Sequence, residues 1–151
     1  DVDNAVKYIE EAINSDESDA LTDAGYYYEL ATFCIKNGKN AKAYEAAQQV
    51  VELNPEMAGK AYMLMGTIWG STICGGNEIE RRAPYWVAVD YMTKAKNADP
   101  SLAEDANNYI RQYANYYPAA SEAFMYDVVD GQSYTVSCGG MRAVTTVRTQ
   151  K

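Results

Sequence analysis

Apolar residues recur along most of this chain three and four positions apart, the spacing of a buried helix face. Tyr27, Leu30, Ala31 and Cys34 form one such block, and Ala43, Ala47 and Val50 form the next. Tyr62, Met65, Gly66 and Trp69 open a second pair, which Ala88, Met92 and Ala95 complete. Upstream, Ala5, Ile9 and Ala12 repeat the second-helix spacing, and downstream Ala106, Tyr109, Ile110 and Tyr113 repeat the first. The pattern changes after Pro118. Ser121 to Tyr126 predicts one or two helical turns. Ser133–Cys138 and Arg142–Thr149 then alternate as strands do, around a Gly139-Gly140 hairpin signal. In that register Tyr134, Val136 and Cys138 face Met141, Ala143 and Val147 on one mostly apolar side.

The helical blocks fall into an order. A first helix carries an aromatic, a large apolar residue, a small residue and a further aromatic. The second carries Ala, a large apolar residue, Ala and then Pro. Ala58 to Pro100 resembles the tetratricopeptide repeat in this respect, with Tyr62, Met65, Gly66 and Trp69, then Ala88, Met92, Ala95 and Pro100, in its slots. Its departure is the Gly66–Ala88 distance of 22 positions where the pattern has 12, so about ten extra residues sit between the helices. Tyr27, Leu30, Ala31, Ala43 and Pro55 fit a second copy without a gap. The resemblance implies an all-α solenoid of helical hairpins, because one pair buries only one of its faces and must stack. The expected organisation is helical repeats over 1–118, followed by a C-terminal segment, 119–151, with the hairpin. The repeats comprise a half repeat 1–20, a repeat 24–57, a repeat 58–100 with the insertion and a capping helix 101–117. The half repeat predicts further repeats before Asp1, which is itself not an initiator methionine. Within the insertion, the first helix is expected to end near Ser71 and the second to start near Pro84, with Trp86 buried. Ser101 and Glu104 read as a capping box for the last helix. Tyr116 and Tyr117 are expected to cover that helix's end.

Composition narrows function by exclusion. There are no histidines, so His-dependent nucleophiles and His-ligated zinc are ruled out, and three cysteines fall short of a Cys₄ site. No motif implies a cofactor or metal. Acidic neighbours such as Glu78 with Glu80, or Glu104 with Asp105, carry no mark of a catalytic pair, and Cys74-Gly75-Gly76-Asn77 follows no strand as a phosphate loop requires. The net charge of −8 resides in residues 1–29, where nine acids, including Asp16 and Glu17, face Lys7 alone. That start reads as a solvated face, and the chain lacks the basic footprint of a nucleic-acid binder. The longest uncharged run, Ala61 to Asn77, is too short and polar to span a bilayer.

Repeat modules of this kind bind partners on the face lined by their first helices. Projection of the slots puts Tyr28, Thr32 and Lys36 there, then Lys60, Met63 and Thr67, and Glu104, Asn107, Arg111 and Asn115 from the last helix. Lys36, Lys60 and Arg111 make this face locally basic, similar in composition to repeats that grip a C-terminal carboxylate. The expected function is a non-catalytic protein–protein interaction or scaffold module. The alternative is a glycan- or peptide-binding module of an outer-membrane or periplasmic assembly, for which Tyr26, Tyr28 and Tyr85 are the freest rings among fourteen tyrosines.

A further likeness runs from about Ala58 to the end. Cys74-Gly75-Gly76-Asn77-Glu78, Arg82-Ala83-Pro84-Tyr85-Trp86, Ser121-Glu122-Ala123-Phe124 and Gly131-Gln132-Ser133-Tyr134-Thr135-Val136 resemble secreted tetratricopeptide proteins of Bacteroidetes-type bacteria. This implies an extracytoplasmic location, in the periplasm or cell envelope of a Gram-negative bacterium, and adds no chemistry. If the parent is secreted, Cys74 and Cys138 are expected to form a disulfide tying the tail to the insertion, with Cys34 free and buried. Two unlinked thiols, with Cys138 part of the hairpin's apolar face, are the alternative.

Overall fold

The computed structural model describes residues 1–15 and 19–151. Asp16 and Glu17 of the acidic start lie outside the described residues. Seven α-helices, α1 (Val2–Ile13), α2 (Ala20–Lys36), α3 (Asn40–Leu53), α4 (Ala58–Gly70), α5 (Glu78–Ala98), α6 (Ala103–Ala114) and α7 (Ala120–Met125), precede an antiparallel hairpin of β1 (Ser133–Cys138) and β2 (Met141–Thr146). Each of α1 to α6 packs on the next, and α2 also meets α4, so the chain is a solenoid of helical hairpins.

Small residues set the helix spacing. Ala31, Ala43 and Ala88 are fully buried. At Gly66 a β-carbon would stand 2.8 Å from Met92 Cε and 3.2 Å from the Ala88 carbonyl, so α4 and α5 approach this closely only without a side chain there. Large residues fill the space between pairs: Met65, Ile68 and Trp69 of α4 lie against Ala46, Ala47 and Val50 of α3 in one continuous core. Tyr44 meets Trp69 edge to face, and its hydroxyl lies 2.5 Å from that of Tyr91 on α5.

Two parallel devices restart the helices. Asn54 and Asp99 each accept a backbone N–H two residues on, and each is followed by proline and a single 3-10 turn, Pro55–Met57 or Pro100–Leu102. This overturns the expected capping box at Ser101. The Ser101 N–H and Oγ both donate to Asp99 Oδ1, at 3.0 and 2.7 Å, and α6 opens at Ala103 with no side-chain cap. Ser101 is thus held by the residue before the proline and is not free to serve the helix.

The insertion also departs from expectation. Helix α4 ends at Gly70 with Ser71 as its cap, near the expected place. Helix α5, however, starts at Glu78 and not near Pro84. Asn77 and Glu80 form a reciprocal capping box, with Glu80 N–H donating to Asn77 Oδ1 at 2.9 Å and Asn77 N–H donating to Glu80 Oε1 at 3.2 Å. The two satisfied end groups favour starting there, although Pro84 has no N–H to give inside the helix. Much of the insertion therefore lengthens α5, and the loop is confined to 71–77.

Gly139 and Gly140 both have positive φ, 61° and 79°, as a two-residue hairpin turn of the primed type requires. The pairing sets Cys138 opposite Met141, Val136 opposite Ala143 and Tyr134 opposite Thr145. Strand β2 ends at Thr146, short of the expected Thr149, because the chain then turns to other partners. Val147 N–H donates to Gln132 O at 2.8 Å, and Thr149 N–H to Asp130 Oδ1 at 3.0 Å. The hairpin packs on α5. Trp86, fully buried, lies edge-on to Tyr134. The end of α6 is closed by Gln150, whose Nε2 lies 3.0, 3.1 and 3.0 Å from the carbonyls of Ala114, Asn115 and Tyr117. Tyr116 stays half in solvent, at 49% exposure, instead of covering that end.

Candidate functional site

The first-helix residues divide between two environments. On α2, Tyr28 and Thr32 are half-buried and Lys36 is exposed. Tyr28 packs against the core, and Thr32 Oγ1 donates to the Glu29 carbonyl at 2.9 Å, so both are partly spent on α2 itself. On α4, Lys60 is exposed, and Met63 and Thr67 are half-buried, with Thr67 Oγ1 donating to Leu64 O at 2.8 Å.

Met63 opens onto a cleft of about 480 Å³ between α4 and α6, whose other lining residues are Asp105, Asn108, Tyr109 and Gln112. None of these four stands among the projected binding residues. Asn107 instead turns toward α5, where its Oδ1 accepts from Lys96 Nζ at 2.8 Å. Arg111 is exposed and donates to Asn108 Oδ1 at the cleft's rim. Asn115 ends the helix, with its carbonyl beside Gln150. The projection presupposes a full helix stacked on α6, as in an interior repeat. The short α7 and the hairpin come next instead, and α6 offers the neighbouring stripe. The sequence does carry a signal for it: Asp105, Asn108, Tyr109 and Gln112 are themselves spaced three, one and three.

The cleft is amide-rich, with one aromatic, one thioether and one carboxylate. Its chemistry is that of hydrogen bonding to an extended backbone around an apolar anchor. Tyr109 stacks on Tyr113 at 5.8 Å between ring centres, and burial pushes the Tyr113 phenol up to about 12. These rings are rigid walls and not proton donors at ordinary pH.

Cys74 and Cys138 are joined in a disulfide with their α-carbons 5.9 Å apart, within the usual span of such bonds. Cys34 is free and buried, and burial raises its thiol pKa above the ordinary value. Several acids of the chain's start are engaged: Asp3 pairs with Lys39, Glu10 with Lys42, and Asp19 caps α2 through the Thr22 N–H. That bond holds the Asp19 carboxyl below its usual range. Of the acidic neighbours, Glu78 is paired with Arg81 and Arg82, and Glu80 serves the capping box. Among the described residues no group of three or more Cys, Asp or Glu side chains is placed to hold a metal ion, and no helix is long and apolar enough to cross a membrane.

Comparison with known proteins adds one finding. Residues 24–57 match the family model of the tetratricopeptide repeat, a module that generally mediates protein–protein interaction. No curated protein and no solved structure matches the chain. The matched residues span α2 and α3, the hairpin whose Ala31 and Ala43 are fully buried. Over residues 24–57, therefore, this chain carries a tetratricopeptide repeat.

Proposed function

We propose that this chain is a non-catalytic protein-binding module that takes an extended partner segment along α4 and α6. The observation that carries the reading is the open Met63–Tyr109 cleft, left free while the C-terminal tail docks elsewhere, on α5. A partner's apolar side chain fits between Met63 and Tyr109, and its backbone meets the Asn108 and Gln112 amides. Lys36, Lys60 and Arg111 lie outside the lining and contribute long-range attraction to acidic partners, which salt weakens. A sugar-binding role has less support, because the candidate platform Tyr85 is stacked on Tyr116 at 4.4 Å and Tyr28 packs into the core. The disulfide supports a location outside the cytoplasm, in the periplasm or cell envelope of a Gram-negative bacterium.

The test is affinity capture from an extract of the source cells, comparing the native chain with a Met63→Asp, Tyr109→Ala variant of equal helicity. A discrete set of proteins retained by the first and lost by the second is the expected result. Identical capture by both overturns the reading.

A further inference from the structure

At the edge of the solenoid where α4 turns toward α5, Ile73 stands 95% exposed. Its loop is anchored on both sides. Thr72 Oγ1 donates to Ile68 O at 2.7 Å and accepts from Asn40 Nδ2 at 3.1 Å. Cys74 is buried and bonded to Cys138, and Asn77 is fixed in its capping box. The isoleucine is therefore held in water by a tied backbone, where burying it would be favoured by roughly 1.5–3 kcal/mol.

The surroundings of Ile73 have a defined chemistry. It borders a cleft of about 280 Å³ shared with Tyr85, Tyr116, Arg81, Arg82 and Glu78. Tyr116 lies parallel to Tyr85, 12° between planes, in a ladder that continues to Tyr113 and Tyr109. Arg82 is fixed twice, by Nε to Glu78 Oε2 at 3.1 Å and by NH1 to the Tyr116 carbonyl at 3.0 Å. Arg81 also pairs with Glu78, so two guanidinium groups share one carboxylate. Glu80 is turned to the other side, where it lines the crevice between Cys74 and Tyr134. The cleft is thus locally positive on a chain of net charge −8.

We propose that this cleft is a second docking site, separate from the α4–α6 groove, for a protein segment that pairs a large apolar side chain with an adjacent Asp or Glu. The apolar side chain packs between Ile73 and Tyr116, and the carboxylate reaches the Arg81–Arg82 pair. Aromatic and arginine side chains around an apolar centre are the usual composition of an energetic interface centre. A basic segment is repelled by the arginines. A sugar uses the Tyr116 face but leaves Ile73 in water. A nucleic acid is opposed by the overall charge.

The experiment pans a random linear peptide phage library on the oxidised native chain, then measures the synthesised consensus peptide by fluorescence anisotropy. The expected consensus joins an aliphatic or aromatic residue to Asp or Glu. Ile73→Asp, Tyr116→Ala and Arg81→Glu should each weaken its binding by about tenfold or more, the size of effect typical of interface-centre residues. Unchanged melting temperatures confirm that the variants fold, and Ile73→Ser is the milder substitute if Ile73→Asp does not. The proposal is overturned by an absence of enrichment, by a basic consensus, or by a peptide whose affinity ignores these variants. Loss of peptide binding through Met63→Asp alone assigns it to the groove and overturns the proposal equally.

Discussion

Trp86 and Arg148 bind each other reciprocally: the Trp86 indole N–H donates to the Arg148 carbonyl, and the Arg148 guanidinium donates to the Trp86 carbonyl, both at 2.9 Å. Arg148 also pairs with Asp90, which accepts from Thr145 Oγ1 at 2.5 Å. The chain's end is thereby fastened to the middle of α5 by an indole and a small polar cluster. Trp86→Ala removes both the buried ring and its bond, and should lower stability by about 3–5 kcal/mol. Chemical denaturation reads this directly. Limited proteolysis should at the same time cut the variant after Pro118 before it cuts the helices.

The Cys74–Cys138 bond closes a loop with a sequence separation of 64. Cross-links of that length stabilise by about 4 kcal/mol in the chain-entropy treatment. Reduction, or Cys74→Ser with Cys138→Ser, should therefore lower the melting temperature by roughly 10 °C in a domain of this size. The helical circular dichroism below the transition should be retained. A reduced chain that melts with the oxidised one contradicts this role.

The repeat is legible in the sequence because its packing is set by residue size at fixed spacing. Gly66 against Ala88, and Trp69 in the core, come from that alone. The hairpin is legible from its two glycines. Local competitions decide where sequence and structure part. Pro84 favours a helix start, yet Asn77 with Glu80 three residues on satisfies two end groups and begins the helix earlier. Ser101 and Glu104 match a capping box, but Asp99 already holds Ser101. In the candidate site, Met63 is legible and its α6 partners are not. The face that α6 turns to the groove depends on the elements packed after it, the short α7 and the hairpin. Spacing within α6 does not carry that information.

Asp127 closes α7 with φ of 62°, a left-handed conformation that disfavours side chains. Its N–H donates to Phe124 O at 3.0 Å, and the Val128 N–H to Ala123 O at 3.1 Å, the paired bonds of a glycine-type helix end. Asp127→Gly relieves the conformation and should raise stability by about 0.5 kcal/mol, net of glycine's greater freedom when unfolded. A lowered midpoint in denaturant contradicts the assignment.

Burial raises the phenol pKa of Tyr91, Tyr117 and Tyr134, and pushes that of Tyr113 up to about 12. In the unfolded chain these groups ionise near 10. As pH rises past about 10 the unfolded state loses its protons first, so stability is full below that point and falls through about pH 12. Tyrosinate absorbance should show one set of phenols titrating normally and a second appearing together with loss of helix. All fourteen titrating near 10 in a folded chain contradicts the burial of this set.

The central claim is that a partner seats on the face shared by α4 and α6. Hydrogen exchange of the oxidised chain, with and without a captured partner, tests it most directly. The account predicts new protection in peptides covering 60–67 and 105–112, around Met63 and Tyr109, with α1 unchanged. Protection confined to the acidic residues 1–15, with the α4 and α6 peptides unaffected, would contradict it.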